Sequence, residues 1–480
     1  MRRLSDATLG DVRPGVLTPA YDRAATRMGI VHFGPGAFHR AHQAAYVERM
    51  LATRPDLAIC AVSLRTPDLR DALAPQDGLY ALAEREAEPS LRVIGAIRQV
   101  LVAAEAPAVV LARLIQARIV TATVTEKGYA LTPAGDLDLD HPDIRHDLET
   151  PRRPVSLVGW LAEGLRNLKV AGLQPFTTIS CDNLSGNGAK LGRAVARFAE
   201  ARGDHDLAVW IADRAAFPNS MVDSITPATD AALRAEVEAA LGLTDAWPVQ
   251  RERFMQWVVE DRLGADAEAF AAAGVTLARD VAPFERAKLR LLNGAHSTLA
   301  YLGLRLGHAT VRDAMSDASL AAFVERMMRQ DIAASLAPGG LDVPAYIGDL
   351  LARFRNPAIE HRLAQIAWDG SQKLRFRLLE TIAEALTAGR PVDRLAVPMA
   401  AWMDFVRRAA REGRPITDPL AATLETVGRG CDGGPADVGR FLVLDAVFPP
   451  DLAGDPRLRH ALGRAYAALA DRSPETVLSL

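Results

Sequence analysis

The alternation of apolar and polar positions changes character about 280 residues into the chain. Before that point short β-branched runs alternate with helical patterns. Gly29–Phe33 (GIVHF) reads as a strand that runs into Gly34-Pro35-Gly36 and then a helix expected to reach about Leu51. Ala58–Ser63 (AICAVS) is a second strand, and Tyr80–Glu86 with Leu91–Val100 reads as a β excursion. Pro107–Ile115 is helical, Ile119–Thr125 (IVTATVT) is a strong strand, and a helix from about Ser156 to Leu173 precedes a strand over Pro175–Ser180. This β-α-β rhythm predicts a doubly wound, largely parallel sheet. Beyond Pro283 helical periodicity takes over: Phe284–Leu306, Asp317–Ala337, Val343–Phe354, Asn356–Ala367, Lys373–Ala388 and Val397–Glu412. The expected architecture is an α/β domain over 1–282 followed by a mostly α-helical domain over 283–480.

Composition narrows the function classes. With 49% apolar and 24% charged residues among 480 the chain is an ordinary globular protein. Its net charge of −3 gives no electrostatic case for nucleic acid or for an anionic membrane. Cys60, Cys181 and Cys431 are far apart, so neither a disulfide framework nor a zinc knuckle is predicted. The N-terminal MRRLSDATLG has two arginines with no apolar stretch behind them. A cytoplasmic location is expected. With no coiled coil and no obvious apolar stripe, so is a monomer.

One segment gathers reactive groups. Glu285–His296 (ERAKLRLLNGAH) holds a carboxylate, an ammonium, an amide and an imidazole. At about 100° per residue, with Lys288 at zero, Glu285 falls near 60°, His296 near 80° and Asn293 near 140°. The four share one side of a helix, beside Leu292 and Ala295. A lysine desolvated by such neighbours becomes a proton acceptor near neutral pH; the plain alternative is a surface Glu285–Lys288 pair. Gly294 inside the helix costs about 1 kcal/mol relative to alanine and needs a reason, of which close approach of a ligand is one.

The other end of the chain offers a cofactor loop. In Gly34-Pro35-Gly36-Ala37-Phe38-His39-Arg40 the G-x-G opening suits a dinucleotide turn of Rossmann type, with Gly34, Gly36, Ala37 and Phe38 as candidate contacts. The third glycine of G-x-G-x-x-G is absent and His39 stands there. Asp68, beyond the second strand, is a late candidate for the ribose hydroxyls, while Arg65 suits a 2′-phosphate or plain exposure; NAD is preferred over NADP. Thr125-Glu126 closes a later strand, where ligands bind in such sheets, or is an exposed turn.

Together these segments resemble the polyol-specific long-chain dehydrogenase/reductase family, which includes mannitol 2-dehydrogenases and fructuronate reductases. The resemblance spans nearly the whole chain. It is carried by GPGAFHRAHQ (34–43), TVTEKGY (123–129), SCDNLSGNG (180–188), FPNSMVD (217–223), QWVVED (256–261), Lys288…Asn293…His296 and WDGSQK (368–373). It implies zinc-free hydride transfer between nicotinamide and a secondary alcohol of a sugar derivative. Lys288 would be the general base or acid, Asn293 a donor to the developing alkoxide with Asn187 or Asn183 as the second, His296 a contact to the neighbouring hydroxyl, and Glu285 a proton lead. Asp223 and Lys373 would touch other substrate groups. From the residues alone, Asp182 and Asn183 equally suit capping the next helix, and Asn187-Gly188 a turn.

The segment Asn356–Leu374 looks more like fructuronate reductases, whose substrate carboxylate calls for fixed cations; Lys373 and Arg375 are the candidates. CDNLSGNG reads instead like mannitol dehydrogenases. The expectation leans to D-fructuronate reduction to D-mannonate, with mannitol/fructose or arabinitol and sorbitol as alternatives. A dinucleotide-binding sensor without catalysis is the reading from another class.

Overall fold

The computed structural model describes residues 1–336, 339–434, 436–470 and 477–479. The chain divides into two compact units, Met1–Ala282 and Pro283–Leu480. In the first, β1 (Met28–Phe33) and β2 (Ala58–Ser63) are followed by a hairpin, β3 (Tyr80–Arg85) and β4 (Ser90–Ile94), and then by β5 (Ile97–Val102), β6 (Ile119–Ala122) and β7 (Thr177–Ser180). The main sheet runs β5-β2-β1-β6-β7 with every neighbouring pair parallel. This is a Rossmann-type sheet. The excursion foreseen over Leu91–Val100 is thus divided: β4 stays with the hairpin, while β5 crosses to the edge of the main sheet beside β2. Four shorter strands, β8 (Ser220–Asp223), β9 (Val249–Glu252), β10 (Gln256–Glu260) and β11 (Thr276–Ala278), form two small sheets, β11-β10-β8 and, with the hairpin, β4-β3-β9.

The unbroken apolar runs have a plain cause. Ile30, Ile59, Ala61, Ile97, Ile119 and Ile179 face one hydrophobic cluster with Tyr46, Trp257 and Phe270. Val31, Phe33, Cys60, Val62, Val120 and Ala122 face another with Val110, Trp160, Leu161 and Phe198. Strands covered on both faces lose the polar half of the usual alternation.

Helix boundaries depart from the periodicity in places. The helix expected from Gly36 to Leu51 breaks at His42 (φ −116°, ψ −82°) into Ala37–Ala41 and Gln43–Met50. The strand foreseen to Thr125 stops at Ala122, because Thr125 takes a positive φ of 66°. The place of the third glycine is filled by a stack: the His39 ring lies 3.4 Å from that of His32 on β1, their planes nearly parallel. His32 in turn bonds the hydroxyls of Thr121 (2.7 Å) and Thr123 (3.0 Å).

The second unit is helical. Its long helix Asp393–Glu412 packs against Gly294–Leu306, Ala421–Arg429 and Pro456–Ala470. Three π turns interrupt otherwise helical stretches, at Lys288–Asn293, Met327–Ile332 and Arg375–Leu379. The first lies inside the segment to which 100° per residue was applied. Its wider turn changes the angular offsets of Lys288, Asn293 and His296, and π turns frequently mark functional sites. Of the helix expected over Asn356–Ala367 only Leu363–Ile366 forms. The helix expected to end at Ala337 is helical through Ser335, and Ala337 lies outside the described residues. No helix among the described residues is long and apolar enough to cross a membrane.

Burial sets a pH dependence. It drives the His32 imidazole down to about 3 and pushes His39 and His296 well below the ordinary range. An unfolded chain holds these rings near pKa 6.5, so below that pH it binds protons the folded chain refuses. Stability is therefore present above pH 6.5 and is lost as pH falls toward the folded values, by up to ~1.4 kcal/mol per pH unit for each ring. The urea midpoint should drop between pH 7.5 and 5.5, and His32→Asn should shrink that drop. A midpoint indifferent to pH would show that the rings take protons while folded.

Candidate functional site

In the first unit the chain after β1 must turn sharply to start the next helix. Gly34 does so with φ +81°, and a Cβ there would lie 2.2 Å from the Thr123 carbonyl, so only glycine fits where β1 and β6 part. Gly36 is different. Its φ is ordinary, and a Cβ there would meet no atom nearer than the Gly34 carbonyl at 3.9 Å. That space belongs to a cavity of about 810 Å³ at the carboxyl ends of the main sheet. Gly34, Gly36, Ala37, Asp68 and Thr125 line it, together with Arg40, Arg65, His141, Asp143 and Trp247. The strand order reverses between β1 and β6, which is where open parallel sheets hold ligands. Size, position and the bare backbone at Gly36 suit the phosphates and sugars of a dinucleotide.

Two residues foreseen here stand elsewhere. Phe38 turns from the cavity and stacks on His42 at 4.9 Å against the core, because the short helix it starts puts that side toward the sheet. Glu126 is exposed and lines no part of the cavity. Arg65 lies in the cavity but donates to Asp143 at 3.0 Å. Arg40, Asp143 and Trp247 were not foreseen. Arg40 is buried between the rings of Tyr80 and Trp247, 5.5 and 5.4 Å from their centroids, and burial lowers its guanidinium to about 10. The motif that contains Arg40 was the available signal; Trp247, some 200 residues later, gave none.

The SCDNLSGNG segment braces this cavity. Asp182 accepts from the backbone N–H groups of Val124 and Thr125, each at 2.9 Å, and from the Tyr129 hydroxyl at 2.7 Å. It is a staple for the turn after β6, not a helix cap. Burial raises its carboxyl above the usual range despite these donors. Asn187 is wholly buried. Its Nδ2 reaches the carbonyls of Ser180, Asp182 and Ser220 at 3.2, 3.1 and 2.9 Å, while Oδ1 accepts from the Gly188 and Ser220 N–H groups at 2.7 and 2.9 Å. That side chain ties β7 to β8. To donate to an alkoxide it would have to release a carbonyl, which corrects its expected place as a ready second donor. Asn183 is exposed at the start of the same loop, and Asp223 is buried at the end of β8.

In the second unit Glu285, Lys288 and Asn293 are half-buried and His296 is buried. The His296 ring meets Phe354 and His361, each with centroids 4.9 Å away. Gly294 has its reason, though not the one foreseen: a Cβ there would lie 3.1 Å from the Arg377 carbonyl, so it admits a neighbouring backbone rather than a ligand. Lys373 donates to the Trp368 carbonyl at 2.7 Å and stands 3.5 Å from Asp369; burial and then the Arg377 charge lower its ammonium. Arg375 is exposed in a groove with Leu379, Asp451 and Arg457. It is Arg377, two residues on, that reaches inward and donates to Ser297 at 3.0 Å. The sequence reading missed it, although its four-residue spacing from Lys373 puts the two on one face. Among the described residues no group of three or more His, Cys, Asp or Glu side chains is arranged to hold a metal ion.

A Rossmann-type sheet with a dinucleotide-sized cavity, followed by a helical unit carrying lysine, asparagine and histidine on one stretch, defines a dehydrogenase class. The comparisons agree. Residues 28–269 match the mannitol dehydrogenase Rossmann domain and residues 280–470 the mannitol dehydrogenase C-terminal domain. The D-mannonate oxidoreductase of Escherichia coli (strain K12) is 38% identical over 478 residues, 97% of this chain and 98% of that protein. A mannitol 2-dehydrogenase of Aspergillus fumigatus (strain CBS 144.89 / FGSC A1163 / CEA10) is 37% identical over 472 residues, covering 95% and 93%. A crystal structure of D-sorbitol dehydrogenase in substrate-free form superposes with TM-score 0.91 at 33% identity, covering 99% and 100% of the two chains. Pseudomonas fluorescens mannitol 2-dehydrogenase in ternary complex with NAD and D-mannitol gives 0.81 at 36%, covering 99% of each. The chain belongs to the mannitol dehydrogenase family and is an oxidoreductase.

The bracing residues make a stability prediction. Asn187→Ala leaves buried backbone groups of β7, β8 and their loops without partners, at about 1–3 kcal/mol for each group left unsatisfied. Urea unfolding should show a loss of at least ~2 kcal/mol. A loss under ~0.5 kcal/mol, the range of a neutral surface change, would show that the amide is not needed to hold the strands.

Proposed function

We propose that this protein is an NAD-dependent reductase that converts D-fructuronate to D-mannonate. The observation that carries the cofactor part is the open backbone at Gly36 in the cavity where β1 and β6 part. The turn Gly34–Ala37 would hold the pyrophosphate and Asp68 the ribose hydroxyls. Arg65 is engaged with Asp143, which favours NAD over a cofactor with a 2′-phosphate. NAD, when bound, supplies or accepts the hydride.

The chain supplies the rest. Lys288 Nζ gives a proton to the reduced carbonyl oxygen and takes it back in oxidation. Glu285, one turn earlier, relays a proton from solvent to Lys288 in reduction and from Lys288 to solvent in oxidation. Asn293 donates to the oxygen as negative charge develops on it, and preorganised donors of this kind stabilise the transition state. The second donor is Asn187 or Asn183; the amide of Asn187 would first have to release a backbone carbonyl. Neutral His296 contacts the hydroxyl next to the reacting carbon, and Asp223 and Lys373 contact the far groups. The D-mannitol/D-fructose pair is the second reading, favoured by the CDNLSGNG segment and by the mannitol 2-dehydrogenase relatives.

Two measurements test this. Lys288→Ala should cut kcat by at least ~100-fold while NADH still binds by fluorescence titration; undiminished turnover would remove the lysine from its role. Gly36→Val should weaken NADH binding by about tenfold or more with little change in melting temperature, because the added carbons meet ligand space and not protein. Unaltered NADH affinity would separate the loop from the cofactor.

A further inference from the structure

A guanidinium in the second unit has no anion to match it. Arg377 is half-buried in the π turn Arg375–Leu379. Among the described residues no carboxylate comes within ion-pair distance of it; its hydrogen bond goes to a neutral hydroxyl, Ser297 Oγ at 3.0 Å. Five N–H donors and a full charge are thus only partly answered. Asp369 acts on Arg377 at longer range, but that carboxylate already stands 3.5 Å from Lys373. A half-buried guanidinium bonded only to a neutral hydroxyl keeps donors and charge available to an incoming anion.

The position of this guanidinium is tightly held. Its turn packs on the π turn Lys288–Asn293. The Arg377 carbonyl lies where a Cβ on Gly294 would be only 3.1 Å away, so its backbone is locked beside the residue that follows Asn293. Its charge acts on His296 and on Lys373, and lowers the affinity of both for protons. Lys373 precedes it by one helical turn on the same face. Arg377 therefore stands between Lys373, one turn before it, and the helix that carries the imidazole assigned to a substrate hydroxyl, through its bond to Ser297.

We infer that Arg377, with Lys373, is the clamp for a substrate carboxylate, making a keto-uronate rather than a neutral ketose the preferred substrate. This rests on the reading of Lys288 and His296 as substrate contacts. A guanidinium fork matches a carboxylate in two parallel charge-assisted bonds, which a hydroxyl cannot offer. Arg375, although closer to Lys373 in sequence, is exposed in another groove and takes no part.

The test compares wild type, Arg377→Lys and Arg377→Met on D-fructuronate and on D-fructose by NADH oxidation, with melting temperatures as a folding check. For Arg377→Met the keto-uronate kcat/KM should fall about 100-fold, mainly through KM, and far more than the value for fructose. Arg377→Lys keeps the charge without the fork and should fall in between. It also serves if the methionine variant does not fold. Equal losses on both substrates overturn the clamp. Wild-type turnover of fructose but not of fructuronate overturns it too, while leaving the hydride-transfer reading intact. If neither substrate turns over, that reading fails, and calorimetric titration of D-mannonate with NAD present decides the clamp alone: weaker binding to Arg377→Lys than to wild type supports it, and equal or absent binding overturns it.

Discussion

The close approach of Gly34 to the Thr123 carbonyl governs the first unit. The parallel strands β1 and β6 end side by side here, and a side chain at Gly34 would collide with the neighbouring backbone at 2.2 Å. With that contact made, the loop after β1 and the turn after β6 both line the space beyond the strand ends. The gap between them is the cavity. Asp182 then fixes the second wall by holding two consecutive N–H groups of that turn, and Thr125 keeps its positive φ because those bonds over-determine it. Asn187 fixes Asp182 in its turn by tying the loop to β7 and β8. A glycine, a carboxylate and an amide thus act in series, each on backbone.

The helical unit solves a related problem by other means. Lys288 and Asn293 lie on a stretch that is not a regular α-helix, and the π turn there packs against a second π turn carrying Arg377. Gly294 gives the two backbones their close approach. Arg290 donates to both oxygens of Glu384, which anchors the same turn to the helix Glu380–Thr387. Widened turns cost hydrogen-bond geometry, and here the loss is offset by packing between segments distant in sequence.

Much of this was legible from residue order. The apolar runs of β1, β2, β6 and β7 announced a parallel sheet because both faces are covered, and the Gly34–Gly36 pair announced where a ligand would approach it. The helical half was visible in its periodicity, with Val343–Phe354 forming over the residues the pattern marks. Other features were not legible. The exchange of β5 into the main sheet depends on a pairing with β2 across the hairpin, and local pattern cannot distinguish the two partners. Arg375 and Arg377 look alike in sequence, and only the packing of their turn decides which one turns inward to Ser297 and which stays exposed. The amides of Asn183 and Asn187 likewise differ only in what surrounds them.

Periodicity, glycine placement and the run of reactive side chains belong to the sequence alone: they follow from local sterics and from the chemistry each residue carries wherever it goes. Which of those side chains keeps a free valence is a matter of tertiary structure. Asn187 is consumed by three carbonyls from two segments some forty residues apart, and Arg377 is left facing no carboxylate although Asp369 lies two turns away. Hydrogen-bond capacity is spent on whatever neighbours the fold supplies, and those neighbours come from positions that no local pattern connects.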